Sequence, residues 1–105
     1  MPEIATEFTG QTVITTFEMT PGTADDLMEA LQAAYAEFIS RQPGFIGAGL
    51  HMNDARTRIA NYSQWRRRED FLAMLRTPEM RKRSRHFASL CKTFEPVMYD
   101  VVGAY

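Results

Sequence analysis

The sequence is short of several residues that commonly announce a function. Of 105 residues only one is cysteine, Cys91, which excludes a disulfide within the chain and any zinc site built on paired thiolates. Two histidines, His51 and His86, stand far apart and make a poor ligand set, so no metal is expected. No glycine-rich stretch has the spacing of a phosphate-cradling loop or a dinucleotide fingerprint. No apolar run approaches the ~20 residues of a membrane span. The opening MPEIATEFTG carries neither the basic nor the apolar segment of an export signal, so the expected compartment is the cytoplasm. Twelve basic residues against thirteen acidic ones leave a formal net charge of -1. That balance argues against a protein held to nucleic acid by charge.

What is present fits one globular domain. A hydrophobic fraction of 45% is too high for a disordered chain, and two domains in this length would each be too small to hold a core. Charge is unevenly placed. Residues 1–40 hold seven acidic side chains and no lysine or arginine, whereas residues 66–92 hold nine basic ones against three acidic. Two readings stand. The two surfaces face each other within or between subunits, or the basic one is a rim that draws in an anionic ligand.

Residues 1–10 have no clear pattern and read as an N-terminal arm before a single domain spanning 11–105. Gln11–Glu18 alternates and is β-branched, which predicts a strand. Met19-Thr20-Pro21-Gly22 reads as a turn. A helix follows, capped by Thr23 with Asp26 reaching back. Its apolar stripe is Leu27, Leu31, Tyr35 and Phe38, and it stops at Gln42 before Pro43-Gly44. Phe45–Asn53 and Thr57–Trp65 form an antiparallel hairpin around Asp54–Arg56. Glu69–Leu75 is a short helix. A second helix opens at Thr77-Pro78 and runs to about Lys92. After Pro96, Val97–Tyr105 is the last strand. The order βαββααβ predicts an α+β, ferredoxin-like fold, a four-stranded antiparallel sheet with helices on one face. The uncovered face predicts a homodimer.

Alternation sorts the hairpin into faces. Ile59, Asn61, Ser63 and Trp65 share one face of the third strand. On the second strand Ile46, Ala48, Leu50 and Met52 oppose Phe45, Gly47, Gly49 and His51. Taking the aliphatic set as the dimer face puts Gly47, Gly49 and His51 under the helices, with Asn61 across from Gly49 or His51. Glycine within a strand often marks close approach of a ligand, and polar groups under a helix need partners. This pattern predicts a cavity between sheet and helices. The alternative is tight helix packing over the glycines, with Asn61 bonded to nearby backbone.

At Asn61-Tyr62-Ser63-Gln64-Trp65 the sequence resembles the antibiotic biosynthesis monooxygenase family of dimeric α/β-barrel proteins. The resemblance runs from Thr12 to Val102 through Pro21-Gly22, Gln42-Pro43-Gly44-Phe45, Trp65 and Glu69-Asp70-Phe71. The Asn four residues before the Trp is similar to the cofactor-independent members that oxidise anthrones and naphthacenones to quinones. The resemblance implies a homodimer, a small aromatic substrate, molecular oxygen as co-substrate and no cofactor. It implies Asn61 and Trp65 as the catalytic pair, with His51 and Arg85 as further pocket residues and Phe71 where a tyrosine is common. A haem-degrading branch uses a first-strand Asn, a short-helix Trp and an axial His. Here Thr15 and Thr16, Met74 and Ser84 stand near those positions, and His86 is displaced by two residues. A third alternative is a non-enzymatic or stress-related barrel that binds a small aromatic ligand.

The chemistry can be stated from the side chains. Without a cofactor the substrate must supply the electrons, and the protein stabilises an oxyanion and excludes water. Asn61 and Trp65 each offer an N–H, about 13 Å apart along a strand at 3.3 Å per residue, a span suited to three or four fused rings. His51 is the candidate base. Arg81 and Arg85, one helical turn apart, are candidates to draw in a carboxylate or phenolate. Ser63, Gly49 and Phe71 complete the expected substrate lining. Tyr62 points to the other face.

Overall fold

The computed structural model describes residues 2–105. Its elements are β1 (Gln11–Glu18), α1 (Pro21–Glu37), a 3-10 turn (Ile39–Arg41), β2 (Phe45–Met52), β3 (Arg58–Trp65), α2 (Arg68–Arg76), α3 (Pro78–Ser89) and β4 (Thr93–Tyr99). The strands form one antiparallel sheet in the order β2-β3-β1-β4. The helices pack on one face, so the fold is α+β and ferredoxin-like. No helix among the described residues is long and apolar enough to cross a membrane.

Local chemistry explains where the elements begin. α1 starts at Pro21 rather than after Thr23, because proline's fixed φ suits the first helical position and it has no N–H to leave unpaired. The Thr23 hydroxyl is not a cap. It donates to the Leu90 carbonyl at 2.7 Å and ties α1 to the end of α3. At α3 the expected cap is present, with Thr77 Oγ1 accepting from the Met80 N–H at 3.1 Å. β4 starts earlier than expected and contains Pro96 opposite Thr15. The strand lies at the sheet edge, where a missing N–H costs no ladder bond. α1 ends at Glu37, and the chain reaches Gln42 through the 3-10 turn.

The core lies between sheet and helices. Val13, Phe17, Ile59 and Trp65 from the sheet meet Leu27, Leu31, Phe71, Met74, Met80 and Phe87 from the helices, all buried. On the edge strand, register overturns the expected faces. A bulge between Phe45 and Gly47 shifts β2 by one residue, so Leu50 pairs with Asn61, Gly49 with Tyr62 and His51 with Ala60. One extra residue moves every later side chain to the other face. Leu50 and Met52 therefore pack against the core, while Gly47, Gly49 and His51 join the open face. That face is completed by Ile14, Tyr62, Val97 and Tyr99, of which Val97 and Tyr99 are 38% and 48% exposed. Residues of the arm cover one corner of it. The Glu3 N–H donates to Gln64 Oε1 at 2.8 Å, Gln64 Nε2 donates back to the Glu3 carbonyl, and Gln64 is buried as a result.

The acidic and basic segments meet within the chain. Arg83 on α3 bonds Glu79 at 2.7 Å and reaches Glu37 of α1 at 3.5 Å. Arg56 pairs with Asp25, and Arg58 with Glu18 at 3.8 Å. Exposed pairs of this kind add about 0–1 kcal/mol each, so apolar packing holds the helices down.

Gly44 links the helical layer to the sheet. It sits at φ 83° and its carbonyl accepts from the Arg66 N–H at 2.8 Å. A Cβ there would overlap the Asp70 carboxylate. Gly44→Ala should therefore lower stability by about 2 kcal/mol, from left-handed strain and the displaced carboxylate. Urea unfolding monitored by Trp65 fluorescence measures it.

Candidate active site

Three strands and three helices enclose an apolar cavity. Its floor is Thr15 of β1 with Asn61, Ser63 and Trp65 of β3, because these residues share the sheet face beneath the helices. Trp65 and Phe71 stand at one end of the row, their ring centroids 5.7 Å apart at 64°. Phe17, Phe87 and Phe94 stand toward the other, with Phe17 and Phe94 stacked at 5.1 Å. Met74, Leu75 and Met80 close the wall where α2 meets α3. The enclosed volume is about 50 Å³. That is room for one or two waters, against roughly 300 Å³ or more for a pocket holding a drug-sized ligand. A fused-ring ligand therefore requires the wall to move, and unbranched methionine side chains are the ones best able to do so.

The polar groups of the floor are organised in two units. The Trp65 indole N–H donates to Ser63 Oγ at 3.2 Å, and Ser63 Oγ lies 3.5 Å from the Val13 carbonyl. Trp65 is wholly buried, so its indole N–H serves the fold and its ring borders the cavity. The second unit joins α1 to β3. The Tyr35 hydroxyl donates to Asn61 Oδ1 at 2.6 Å. Among the described residues the Asn61 Nδ2 group has no hydrogen-bond partner, and Asn61 lines the cavity. The arrangement presents a neutral N–H donor to an apolar-lined space, where such a donor acts more strongly on a developing negative charge than in open water. Burial pushes the Tyr35 phenol up to about 12. The hydroxyl therefore keeps its proton.

The expected site residues divide into two groups. Asn61, Ser63, Trp65 and Phe71 meet at the cavity. Gly49 and His51 do not, because the β2 bulge turns them to the open face, where a Cβ on Gly49 would lie 3.4 Å from the His51 ring. Arg81 and Arg85 are exposed and absent from the lining. They follow Met80 and Ser84, the inward residues of α3, by one position each, a rotation of about 100° on a helix. His86 opens on the outer groove between α1 and α3, and Ser84 reaches the cavity in its place. Among the described residues no histidine thus lines the cavity, where the haem-degrading pattern would need its axial ligand. No cluster of three His, Cys, Asp or Glu side chains able to hold a metal occurs among the described residues. Tyr35 was legible only as part of an apolar stripe. The available signal was that a buried tyrosine hydroxyl needs a partner, and Asn61 is a polar residue of the sheet face beneath it.

Fold and site together define a small α+β domain with an apolar-lined cavity over a sheet that carries a few fixed polar groups. The chain belongs to the antibiotic biosynthesis monooxygenase family, whose family model matches residues 11–85. It is 26% identical over 94 residues to tetracenomycin-F1 monooxygenase of Streptomyces glaucescens, covering 90% of this chain and 83% of that one. Among solved structures, the monooxygenase from the gene ActVA-Orf6 of Streptomyces coelicolor, in complex with nanaomycin D, superposes with a TM-score of 0.81 at 24% identity, covering 92% of this chain and 91% of that one. SnoaB of Streptomyces nogalater, a cofactor-independent oxygenase, gives a TM-score of 0.81 at 19% identity, covering 92% and 97%.

The raised Tyr35 value carries a stability consequence. Below an ordinary phenol pKa of 10.0 both folded and unfolded chains hold the proton; up to about 12 only the folded chain does. Stability is therefore lost as pH rises through that window. Tyr35→Phe should show a shallower alkaline loss than the parent, measured by thermal melts across it.

Proposed function

We propose that the protein is a cofactor-independent monooxygenase that oxidises a polycyclic aromatic substrate of the anthrone or dihydroquinone type to a quinone with molecular oxygen. Family membership supports the reaction class. The single observation that carries the finer reading is the Asn61 amide, its oxygen held by Tyr35 and its nitrogen unpaired in a cavity bordered by aromatic rings.

The reaction at an anthrone methylene balances without a bound redox group. Loss of one proton gives the enolate, which passes one electron to oxygen. The radical pair joins as a peroxide anion, which takes back one proton to become the hydroperoxide, and this loses water to leave the carbonyl. One oxygen atom enters the product and the other leaves as water. Asn61 Nδ2 donates to the enolate oxygen, lowering the substrate's pKa and stabilising the charge until oxygen is reduced. Trp65 and Phe71 hold the flat ring edge-on and keep bulk water out. Ser63 fixes the indole. With His51 on the far side of the sheet and the Tyr35 proton retained, no lining side chain serves as base, so the proton passes to water entering with the substrate. Arg81 and Arg85 have no contact with the reacting atoms. The working unit in this proposal is a cytoplasmic homodimer joined through the open sheet face, where Ile14, Tyr62, Val97 and Tyr99 await cover.

Oxygen uptake with dithranol in metal-free, flavin-free buffer tests the activity. The expected result is one oxygen consumed per quinone formed. Asn61→Ala should lower kcat about 100-fold, the scale of losing one oxyanion donor. His51→Ala should retain parental kcat. A protein that is thermally stabilised by the anthrone yet consumes no oxygen above background would instead be a binding barrel.

A further inference from the structure

Resting on the monooxygenase reading, we propose that Tyr35 is the positioning residue of the site: its hydroxyl holds Asn61 Oδ1 and thereby turns the amide N–H groups toward the substrate. A primary amide is nearly symmetric in shape, so a half-turn exchanges its carbonyl for its NH₂ at almost no steric cost. Only one of the two orientations stabilises an oxyanion. The other places a carbonyl dipole against it. Something must therefore distinguish the two ends of Asn61, and the strand itself does not. The neighbours of Asn61 across the sheet are Thr15 on one side and Leu50 on the other. Thr15 carries a hydroxyl that can serve either end of the amide, and Leu50 offers no polar side chain.

Tyr35 supplies the distinction from another element. Its O–H reaches Asn61 Oδ1 at 2.6 Å, within the short range for hydroxyl donors. The phenol ring is held against Phe45, centroids 5.9 Å apart at 50°, and Phe45 packs edge-on to Trp65 at 5.4 Å. One aromatic chain thus fixes the direction of the amide and the position of the indole that borders the same cavity. A phenol is a stronger donor and a weaker acceptor than the aliphatic hydroxyl of Thr15, so it favours the amide oxygen over the NH₂ group. It leaves Nδ2 as the free end.

Tyr35→Phe removes the hydroxyl and keeps the ring. In the dithranol assay kcat should fall about ten-fold with KM within two-fold of the parent. In an Asn61→Ala background the same change should have no further effect on kcat, because the two residues act through one donor. Side-chain amide NMR reads the orientation directly. Parent Asn61 Nδ2 should give two well-separated, ordered proton signals, and Tyr35→Phe should lower their order parameter. Parental kcat in Tyr35→Phe, or a loss that adds fully to Asn61→Ala, overturns the role of Tyr35 and leaves the monooxygenase reading standing. If the parent consumes no oxygen, that reading fails on its own. The NMR comparison then decides: unchanged amide order in Tyr35→Phe overturns the positioning role, and a lowered order supports it.

Discussion

The inward row of β3 is the constraint on which the rest depends. β3 is an interior strand, hydrogen-bonded to β2 on one side and β1 on the other, so its side chains cannot turn to solvent at an edge. Alternation places Ile59, Asn61, Ser63 and Trp65 beneath the helices. Ile59 and Trp65 satisfy that layer by apolar packing. Asn61 and Ser63 do not: Ser63 is buried and Asn61 half-buried, and a polar group taken from water without a partner costs free energy. The helices and the neighbouring strand answer each one: Tyr35 descends from α1 to Asn61, and Ser63 sits between the Trp65 indole and the Val13 carbonyl. A space remains above the row because short polar side chains fill less volume than the aromatic residues flanking them.

That space is electrically quiet by construction. Its lining holds no charged side chain, while the arginines of α3 point outward and Arg83 is engaged with Glu37 and Glu79. A neutral donor in such surroundings acts on a charge with little competition from water. The space is bordered by α2 and α3, whose contribution to the wall is methionine, leucine and phenylalanine with Ser84, so access is a matter of side-chain motion in soft residues. In the proposed function, catalysis and access thus draw on opposite walls, the strand floor and the helical roof.

The open face obeys a different rule. It carries Tyr62, Ile14, Val97 and Tyr99 on one side of a sheet whose other side bears the helices, and the arm attaches there through Gln64, which also donates to the Tyr62 hydroxyl at 3.2 Å. The bulge in β2 is what joins the glycines and His51 to this face. One fold supports many activities, and the division of residues between the two faces, more than the fold itself, separates the candidate chemistry from the candidate interface.

Composition and periodicity determined much of this protein by themselves. The element order, the ferredoxin-like sheet, the Thr77-Pro78 helix start and the shared face of Asn61, Ser63 and Trp65 all follow from local rules, since alternation within one strand needs no knowledge of its neighbours. The relation between strands was not legible in that way. A bulge between Phe45 and Gly47 is one residue of slack, invisible to periodicity, yet it exchanges His51 and Gly49 for Leu50 at the floor. The inward or outward aim of Arg81 and Arg85 depended on which residues of α3 the core accepted, and Met80, Ser84 and Phe87 filled those places. Tyr35 met Asn61 across 26 residues of sequence, a contact made only when α1 packs on β3. Sequence settled what each strand and helix is, because that is local energetics. Tertiary structure alone decided which side chains share a cavity, because register and helix rotation are set by the packing of one element against another.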